Sequence, residues 1–212
     1  GMGFFGTFFP SARSRITYEI YAVNGLTSDI IEESGEGTRI SAGKHNIEDN
    51  NNSLASAGRI GLSPVPALEF GFSWHSGVYN VSEVEGLVVD KERNLSIIAF
   101  DGGWTKSRYE IIGEYAHATI DLPESLLGSI FAEKQEGLYL QGSINFLNGK
   151  IKTMPDSYFE GVFSFDRIDL DAELLGDSHT RTTFGINFRP TADSVFKLNY
   201  LYNWKRDRNN VE

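Results

Sequence analysis

The chain contains no cysteine and only 2 methionines among its 212 residues. Without thiolates it has no disulfide framework, no cysteine-ligated metal centre and no cysteine nucleophile. A basic excess is missing too, because 19 lysines and arginines stand against 29 aspartates and glutamates, a net charge of −10. An acidic balance argues against a general nucleic-acid binder, so we expect no nucleic-acid partner.

Long apolar runs are also absent. No stretch approaches the roughly 18 to 20 consecutive apolar residues that a membrane-spanning helix requires. A membrane-spanning β-strand needs only about 9 to 11 residues of alternating character, so a membrane location stays open. The N-terminal Gly1-Met2-Gly3 lacks a basic segment followed by an apolar one. We therefore interpret any export signal as removed, or as never part of this piece.

Glycine and aromatic residues are plentiful instead, with 22 Gly, 15 Phe, 9 Tyr and 3 Trp, a composition that favours strands and turns. The C-terminal region shows alternation, since one face carries Thr182 followed by apolar side chains at every second position to Phe188, and apolar side chains again occupy every second position from Phe196 to Trp204. A short segment, 189–194, contains Pro190 and separates the two runs. This pattern predicts a β-hairpin.

Similar alternation recurs near residues 16–20, 60, 68–74, 98–104, 109–115, 138–146 and 158–172. In the last of these, the apolar phase shifts between Phe165 and Ile168, which predicts a β-bulge. About nine or ten strands of about ten residues predict an all-β fold, which we assign to one domain over 1–212. Tight turns at 63–67, 105–108 and 189–194 fall on one end, whereas 26–53, 80–93 and 121–136 are long and mostly polar. That asymmetry is typical of an antiparallel up-and-down transmembrane β-barrel.

Alternation alone fits two architectures, a soluble sandwich with an apolar core and a barrel with an apolar exterior. Strands near ten residues long, polar faces rich in Gly and Ser, and aromatic residues at strand ends favour the barrel. The aromatic residues expected near the short turns are Trp104, Tyr109, Phe146, Tyr158, Phe188 and Phe196, and those near the long loops are Trp74, Tyr79, Tyr115, Tyr202 and Trp204. The predicted lipid-facing residues are Phe70, Phe72, Trp74, Phe184, Ile186, Phe188, Phe196, Leu198 and Tyr200. The predicted pore-lining residues are Arg15, Glu19, Arg59, Glu69, Asp101, Glu110, Glu114, Arg189 and Lys197.

Several stretches carry a resemblance to a known family. They are residues 17–26, residues 50–52 followed by 58–66, and residues 184–191 running into 195–200. On these stretches the chain resembles the C-terminal portion of Gram-negative porins of the phosphate-selective porin O and P superfamily. The resemblance implies a larger barrel of about sixteen strands in the cell outer membrane, often a homotrimer, with membrane lipid and small solutes or ions as partners. The sequence departs from that pattern because the N-terminal half and a final aromatic-ended strand are missing, so we interpret it as a fragment.

Catalytic and metal-binding patterns are weak. Gly1, Gly3 and Gly6 lack the strand and helix of a dinucleotide-binding motif, and Glu110 and Glu114, four apart on one strand, lie about 13 Å from each other at about 3.3 Å per residue. A calcium site is a weak alternative for the acidic group of Asp166, Asp169, Asp171 and Glu173. The histidines, His45, His75, His117 and His179, are scattered. We expect no catalytic residue, cofactor or metal.

The barrel signature and the resemblance together lead us to expect a porin that passes small hydrophilic solutes or ions by passive diffusion. The expected lumen set mixes acids and bases and forms no basic ladder for phosphate, while the long loops add acids that favour cations at the mouth. These acids are Asp29, Glu32, Glu33, Glu36, Glu48, Asp49, Glu83, Glu85 and Asp90. We therefore predict weak cation preference or little selectivity. The alternative is a soluble β-barrel or sandwich that binds an apolar ligand in its interior.

Overall fold

The chain folds into one large antiparallel sheet, seen in a computed structural model that describes residues 1–32, 37–44, 51–191 and 193–209. Ten strands follow one another in the order β1-β2-β3-β4-β7-β8-β9-β10-β11-β12, and β5 and β6 form a separate small hairpin. The strands are β1 (Met2–Phe8), β2 (Arg15–Asn24), β3 (Leu54–Val65), β4 (Leu68–Val78), β5 (Glu83–Val84), β6 (Leu87–Val88), β7 (Asn94–Lys106), β8 (Tyr109–Ile120), β9 (Lys134–Phe146), β10 (Tyr158–Asp169), β11 (Ser178–Thr191) and β12 (Ser194–Arg206). Helical structure is limited to α1 (Asp29–Glu32) and two 3₁₀ turns, Ile40–Gly43 and Glu124–Leu126. The prediction of an all-β, up-and-down antiparallel fold is confirmed.

The two outer strands of the sheet remain open. Within the described chain, β1 pairs only with β2, and β12 pairs only with β11, so the sheet does not close on itself. The hairpin predicted at the C-terminus is confirmed as β11 and β12, with Phe184 opposite Tyr200 and Ile186 opposite Leu198. None of the described helices is long and apolar enough to span a membrane.

Connection lengths differ between the two ends of the sheet, as predicted. Tight turns join β3 to β4, β7 to β8 and β11 to β12, and Ser107 in the second of these adopts a left-handed φ of 56°. The β9–β10 connection at the same end is longer, and Gly149 turns there with a φ of 63°. The loops at the opposite end span residues 25–53, 79–93, 121–133 and 170–177. We call these two ends the short-turn end and the long-loop end.

The predicted β-bulge in β10 is wrong. β10 pairs with both neighbours without a register shift from Phe159 to Asp169. The strand itself is regular, and only the type of residue on each face changes. Arg167, a charged residue, lies on the same face as Phe165, and Ile168, an apolar residue, lies on the opposite face. Arg167 is accommodated there by an ion pair with Asp169, Nη2 to Oδ2 at 3.0 Å.

The register gathers the predicted lipid-facing residues on one face of the sheet, which we call the apolar face. Their aromatic rings contact across strands, with centroids 5.1 Å apart for Phe72 and Phe100. The side chains nevertheless have no second layer of described residues over them: Phe184 is 55%, Leu198 76% and Tyr200 66% exposed. A soluble protein rarely exposes so continuous an apolar surface.

Aromatic residues form a row on the apolar face at the short-turn end. Phe146, Phe159, Phe188 and Phe196 stack across β9 to β12 with successive centroid distances of 6.0, 4.8 and 6.4 Å. Phe159 takes the place expected for Tyr158, which lies opposite Arg189 on the other face.

At the long-loop end, Trp74, Tyr115, Tyr202 and Trp204 lie on the apolar face as expected. The expectation for Tyr79 is wrong, because that side chain is 0% exposed within the loops.

Candidate functional site: the polar face and its inward loop

The predicted pore-lining residues all lie on the face opposite the apolar one, which we call the polar face. Several of them form a connected ion-pair network across β2, β3, β4 and β7. Arg59 donates from Nε and Nη2 to the Asp101 carboxylate at 3.1 and 2.6 Å, and Nη2 also reaches Glu69 Oε1 at 3.3 Å. Arg15 Nη2 donates to Glu69 Oε2 at 3.1 Å.

This network fixes the side chains more than it stabilises the fold. The side chains of Arg59 and Asp101 are 35% and 24% exposed, so water screens their attraction, and each such pair contributes about 0–1 kcal/mol. Because Arg59 donates through two nitrogens to Asp101, both charged groups are held in one orientation on the polar face. The short-turn half of the polar face therefore carries preorganised charges of both signs.

Other predicted residues lie farther along the same face. Glu114 stands between Asp101 on one neighbouring strand and Tyr139 on the other, so two carboxylates are adjacent there. Lys197 is exposed on the edge strand β12, opposite Asn187.

Some polar-face residues were missed by the sequence reasoning. Glu160 accepts a hydrogen bond from Asn187 Nδ2 at 2.8 Å and lies 3.9 Å from Arg189 Nε. Arg181 Nε donates to Asn203 Oδ1 at 2.7 Å. Extending the alternating pattern of faces through β10 and β11 would have assigned both Glu160 and Arg181 to the polar face.

Charge on the polar face is unevenly distributed among the strands. Acids dominate β7 to β10, whereas β11 and β12 carry bases. The acids on these strands are Asp101, Glu110, Glu114, Glu160 and Asp166, and the bases are Arg181, Arg189, Lys197 and Lys205. Acidic and basic strands are thus neighbours, and the face as a whole is nearly balanced.

The β2–β3 loop folds across the polar face at the long-loop end. Ile30 and Ile31 are buried in one cluster with Leu95, Ala118 and Ile120, whose side chains point from the polar face of β7 and β8. The sequence pattern predicted a long and mostly polar loop here but did not predict the burial of these apolar residues. Their burial fixes the loop against the polar face of the sheet.

Hydrogen bonds tie this loop to the neighbouring one. Thr38 Oγ1 donates to the Ala132 carbonyl at 3.0 Å, and Gln135 Nε2 donates to the Thr38 carbonyl at 2.9 Å. Gly43 lies so close to Ile30 that an added Cβ would be 2.4 Å from its Cγ2 atom. The described part of the loop, residues 25–32 and 37–44, is therefore a packed element that narrows the space above the polar face.

The loop of residues 79–93 is also anchored. Tyr79 donates from its hydroxyl to the Asp121 carbonyl at 2.7 Å, and burial raises the pKa of Tyr79. Arg93, 6% exposed, donates to both Asp90 oxygens at 3.1 Å and to the Leu122 carbonyl at 2.8 Å. The Arg93 hydrogen bond lowers the pKa of Asp90. Asp90 is thus a paired structural acid rather than a free charge at the mouth.

The remaining acids of the expected mouth are only partly described. Asp29 accepts a hydrogen bond from Thr27 Oγ1 at 2.9 Å, whereas Glu83 and Glu85 are exposed in and beside the β5–β6 hairpin. Outside the described residues lie Glu33, Glu36, Glu48 and Asp49, together with His45, Asn50 and the side chain of Glu32.

The acidic group at the β10–β11 connection does not form a calcium site among the described residues. Asp166 lies on the polar face and Asp169 on the apolar face, so the sheet separates them. Asp171 pairs with Arg208 at 2.9 Å, and Glu173 reaches a lysine of β9 at 2.9 Å. The described histidines are also apart, with His75 and His179 on the polar face and His117 on the apolar face.

Comparisons with protein-family profiles, with curated proteins and with solved structures found no match to this chain. The porin resemblance therefore stays an expectation from the sequence.

Proposed function

We propose that this chain is part of the wall of an outer-membrane porin that lets small hydrophilic solutes or ions diffuse passively through a polar lumen. The observation that supports the proposal most strongly is the division between the two faces. One face exposes large apolar side chains such as Leu198 and Tyr200, and the other holds ion pairs such as Arg59–Asp101. Lipid on the first face and water on the second would satisfy both.

A channel also requires a closed wall. β1 and β12 each present an unpaired edge, and open edges are not stable in hydrocarbon. The proposal therefore includes pairing of both edges with further strands or with a second chain. The resemblance also implies a homotrimer, and we include assembly of three copies in the proposal.

The inward β2–β3 loop gives the proposed channel a constriction. Because its cluster packs against Leu95 and Ile120, it narrows the lumen at the long-loop end. Solutes from that side would pass the loop before they reach the charges of Arg59 and Glu69. The near balance of acids and bases supports little selectivity with a weak cation preference.

Detergent dependence and conductance test the function. The protein should partition into detergent, show heat-modifiable mobility on a gel and raise the conductance of planar bilayers. Reversal potentials under a salt gradient should show weak cation preference, and clear anion preference would contradict that part of the proposal. A protein that stays monodisperse without detergent and conducts nothing would favour the soluble binding protein instead.

A further inference from the structure

Charged and titratable side chains on the apolar face are concentrated in one corner. In the described strands they lie at the long-loop end of β8 to β12, next to the aromatic residues Tyr202 and Trp204, apart from Lys106 at the short-turn end of β7. Those in the corner are His117, Lys134, Glu136, Arg167, Asp169 and Arg206.

Most of these side chains have a partner close by. His117 Nδ1 lies 3.2 Å from Glu136 Oε1, and Lys134 Nζ lies 2.9 Å from a carboxylate in the next loop. Arg167 uses Nη2 to reach Asp169 at 3.0 Å. Arg206 has no ion-pair partner among the described residues, so its guanidinium group is available to an anion.

Arg206 borders a depression of about 140 Å³ between β10, β11 and β12. Arg167 lines it as well, so two guanidinium groups face one small space. The other lining residues are Phe165, Ser178, Thr180 and Trp204.

Two residues that line this depression carry hydroxyl groups, Ser178 and Thr180. Each residue is largely buried, at 5% and 8% exposed, and presents its hydroxyl-bearing side chain to the depression. A ligand that accepts hydrogen bonds could take a donor from each of them. Guanidinium and hydroxyl donors around a small space are the chemistry that binds phosphate.

The location of the depression identifies the source of the phosphate. It lies on the apolar face, level with the aromatic residues, and the exposed side chains of Tyr202 and Leu198 continue from it toward the middle of the sheet. A free phosphate ion would gain nothing from that apolar surface, whereas the acyl chains of a lipid would cover it.

We propose that this depression binds the phosphate of an anionic membrane lipid headgroup, with Arg167 and Arg206 pairing with its charge. Ser178 and Thr180 donate hydrogen bonds to its oxygens, and the acyl chains follow β12 along Tyr202 and Leu198. The inference rests on the proposed function, because it requires lipid on the apolar face. Asp169 does not line the depression and holds Arg167 through one nitrogen only.

Trp204 provides a reporter inside the depression. In the test, Trp74 and Trp104 are replaced by Phe, and the full chain is reconstituted into vesicles of unlabelled phosphatidylcholine. Either brominated phosphatidylglycerol or brominated phosphatidylcholine is then added, and quenching of Trp204 fluorescence reports which lipid occupies the site. We expect phosphatidylglycerol to be preferred, by about fivefold for each contributing arginine.

Two double variants distinguish binding at this depression from a general effect of the protein's positive charge. Arg167→Gln with Arg206→Gln should remove the preference, whereas Lys197→Gln with Lys205→Gln, which removes equal charge from the polar face, should preserve it. Heat-modifiable mobility checks that each variant is folded. A preference that persists in the folded arginine variant overturns the proposal, as does one that disappears equally in the lysine variant.

The remaining outcomes distinguish this site from the proposed function. If inorganic phosphate at millimolar concentration abolishes the preference, the depression is a free-phosphate site, and the lipid proposal fails while the porin proposal stands. If neither brominated lipid quenches Trp204, the apolar face is not in contact with the bilayer, and both proposals fail.

Discussion

A pair of identical substitutions on β12 tests which face of the sheet meets lipid. Leu198 lies on the apolar face opposite Ile186, and Leu201 lies on the polar face opposite Thr183. Both leucines are exposed, at 76% and 47%, so neither replacement by arginine disturbs a packed core. Leu198→Arg and Leu201→Arg therefore introduce the same charge three residues apart, on opposite faces.

The expected difference follows from the surroundings of each face. An arginine that faces lipid near the bilayer midplane costs about 2–4 kcal/mol. One that faces water costs about 0.5 kcal/mol or less. A difference near 3 kcal/mol changes the unfolding equilibrium constant by roughly a hundredfold.

Equilibrium unfolding in urea, followed by tryptophan fluorescence in phospholipid vesicles, measures the difference. Leu198→Ala serves as a control that separates the loss of the leucine side chain from the arrival of the charge. Equal destabilisation by the two arginines, or greater destabilisation by Leu201→Arg, would refute the orientation on which the proposed function depends.

Three further predictions concern the long-loop end. Gly43→Ala should displace the β2–β3 loop, because its Cβ would lie 2.4 Å from an isoleucine methyl, and should raise single-channel conductance; Gly137→Ala, with no atom within 4 Å of its Cβ, should leave conductance unchanged. Tyr79→Phe should lower the free energy of unfolding by about 1 kcal/mol through loss of one hydrogen bond, measured by urea denaturation, and an unchanged midpoint would contradict that role. The Arg93 hydrogen bond lowers the pKa of Asp90 in the folded protein, so its stabilisation is present above the unfolded pKa of about 4 and is lost as pH falls below it. Asp90→Asn should therefore weaken the loss of stability between about pH 5 and pH 3, and an identical pH profile would refute the coupling.

The alternation of apolar and polar residues identified the strands of the sheet, because a β-strand exposes alternate residues to different surroundings. It grouped Phe184, Leu198 and Tyr200 on one shared face, since no register shift interrupts β11 and β12 between Ser178 and Phe188. It failed at Phe165 and Ile168, where a polarity change on a regular strand looks the same as a bulge in the sequence. Only the pairing partners of β10 distinguish the two.

The alternating pattern could not predict how the β2–β3 loop packs against the polar face. Ile30 and Ile31 have no alternating neighbours, and their contacts with Leu95 and Ile120 connect residues far apart in the chain. Tyr79 was placed at the membrane interface because it follows a strand, yet its hydroxyl bonds a carbonyl of another loop. Long-range packing of this kind depends on which loops the sheet brings together, and a local pattern carries no information about it.

The positions of the inward loop and the ion-pair network separate two properties of the proposed channel. Leu95 anchors the loop cluster, and Asp101 belongs to the network six residues along the same strand, a distance of about 20 Å at about 3.3 Å per residue. The loop cluster carries no charge, and electrostatic effects over about 20 Å are largely screened at physiological salt, since the Debye length is about 8 Å. Displacing the loop with Gly43→Ala should therefore change conductance with little effect on the reversal potential. Asp101→Asn should shift the reversal potential toward anions with the loop in place, and a single variant that alters both to the same degree would show that one constriction controls them.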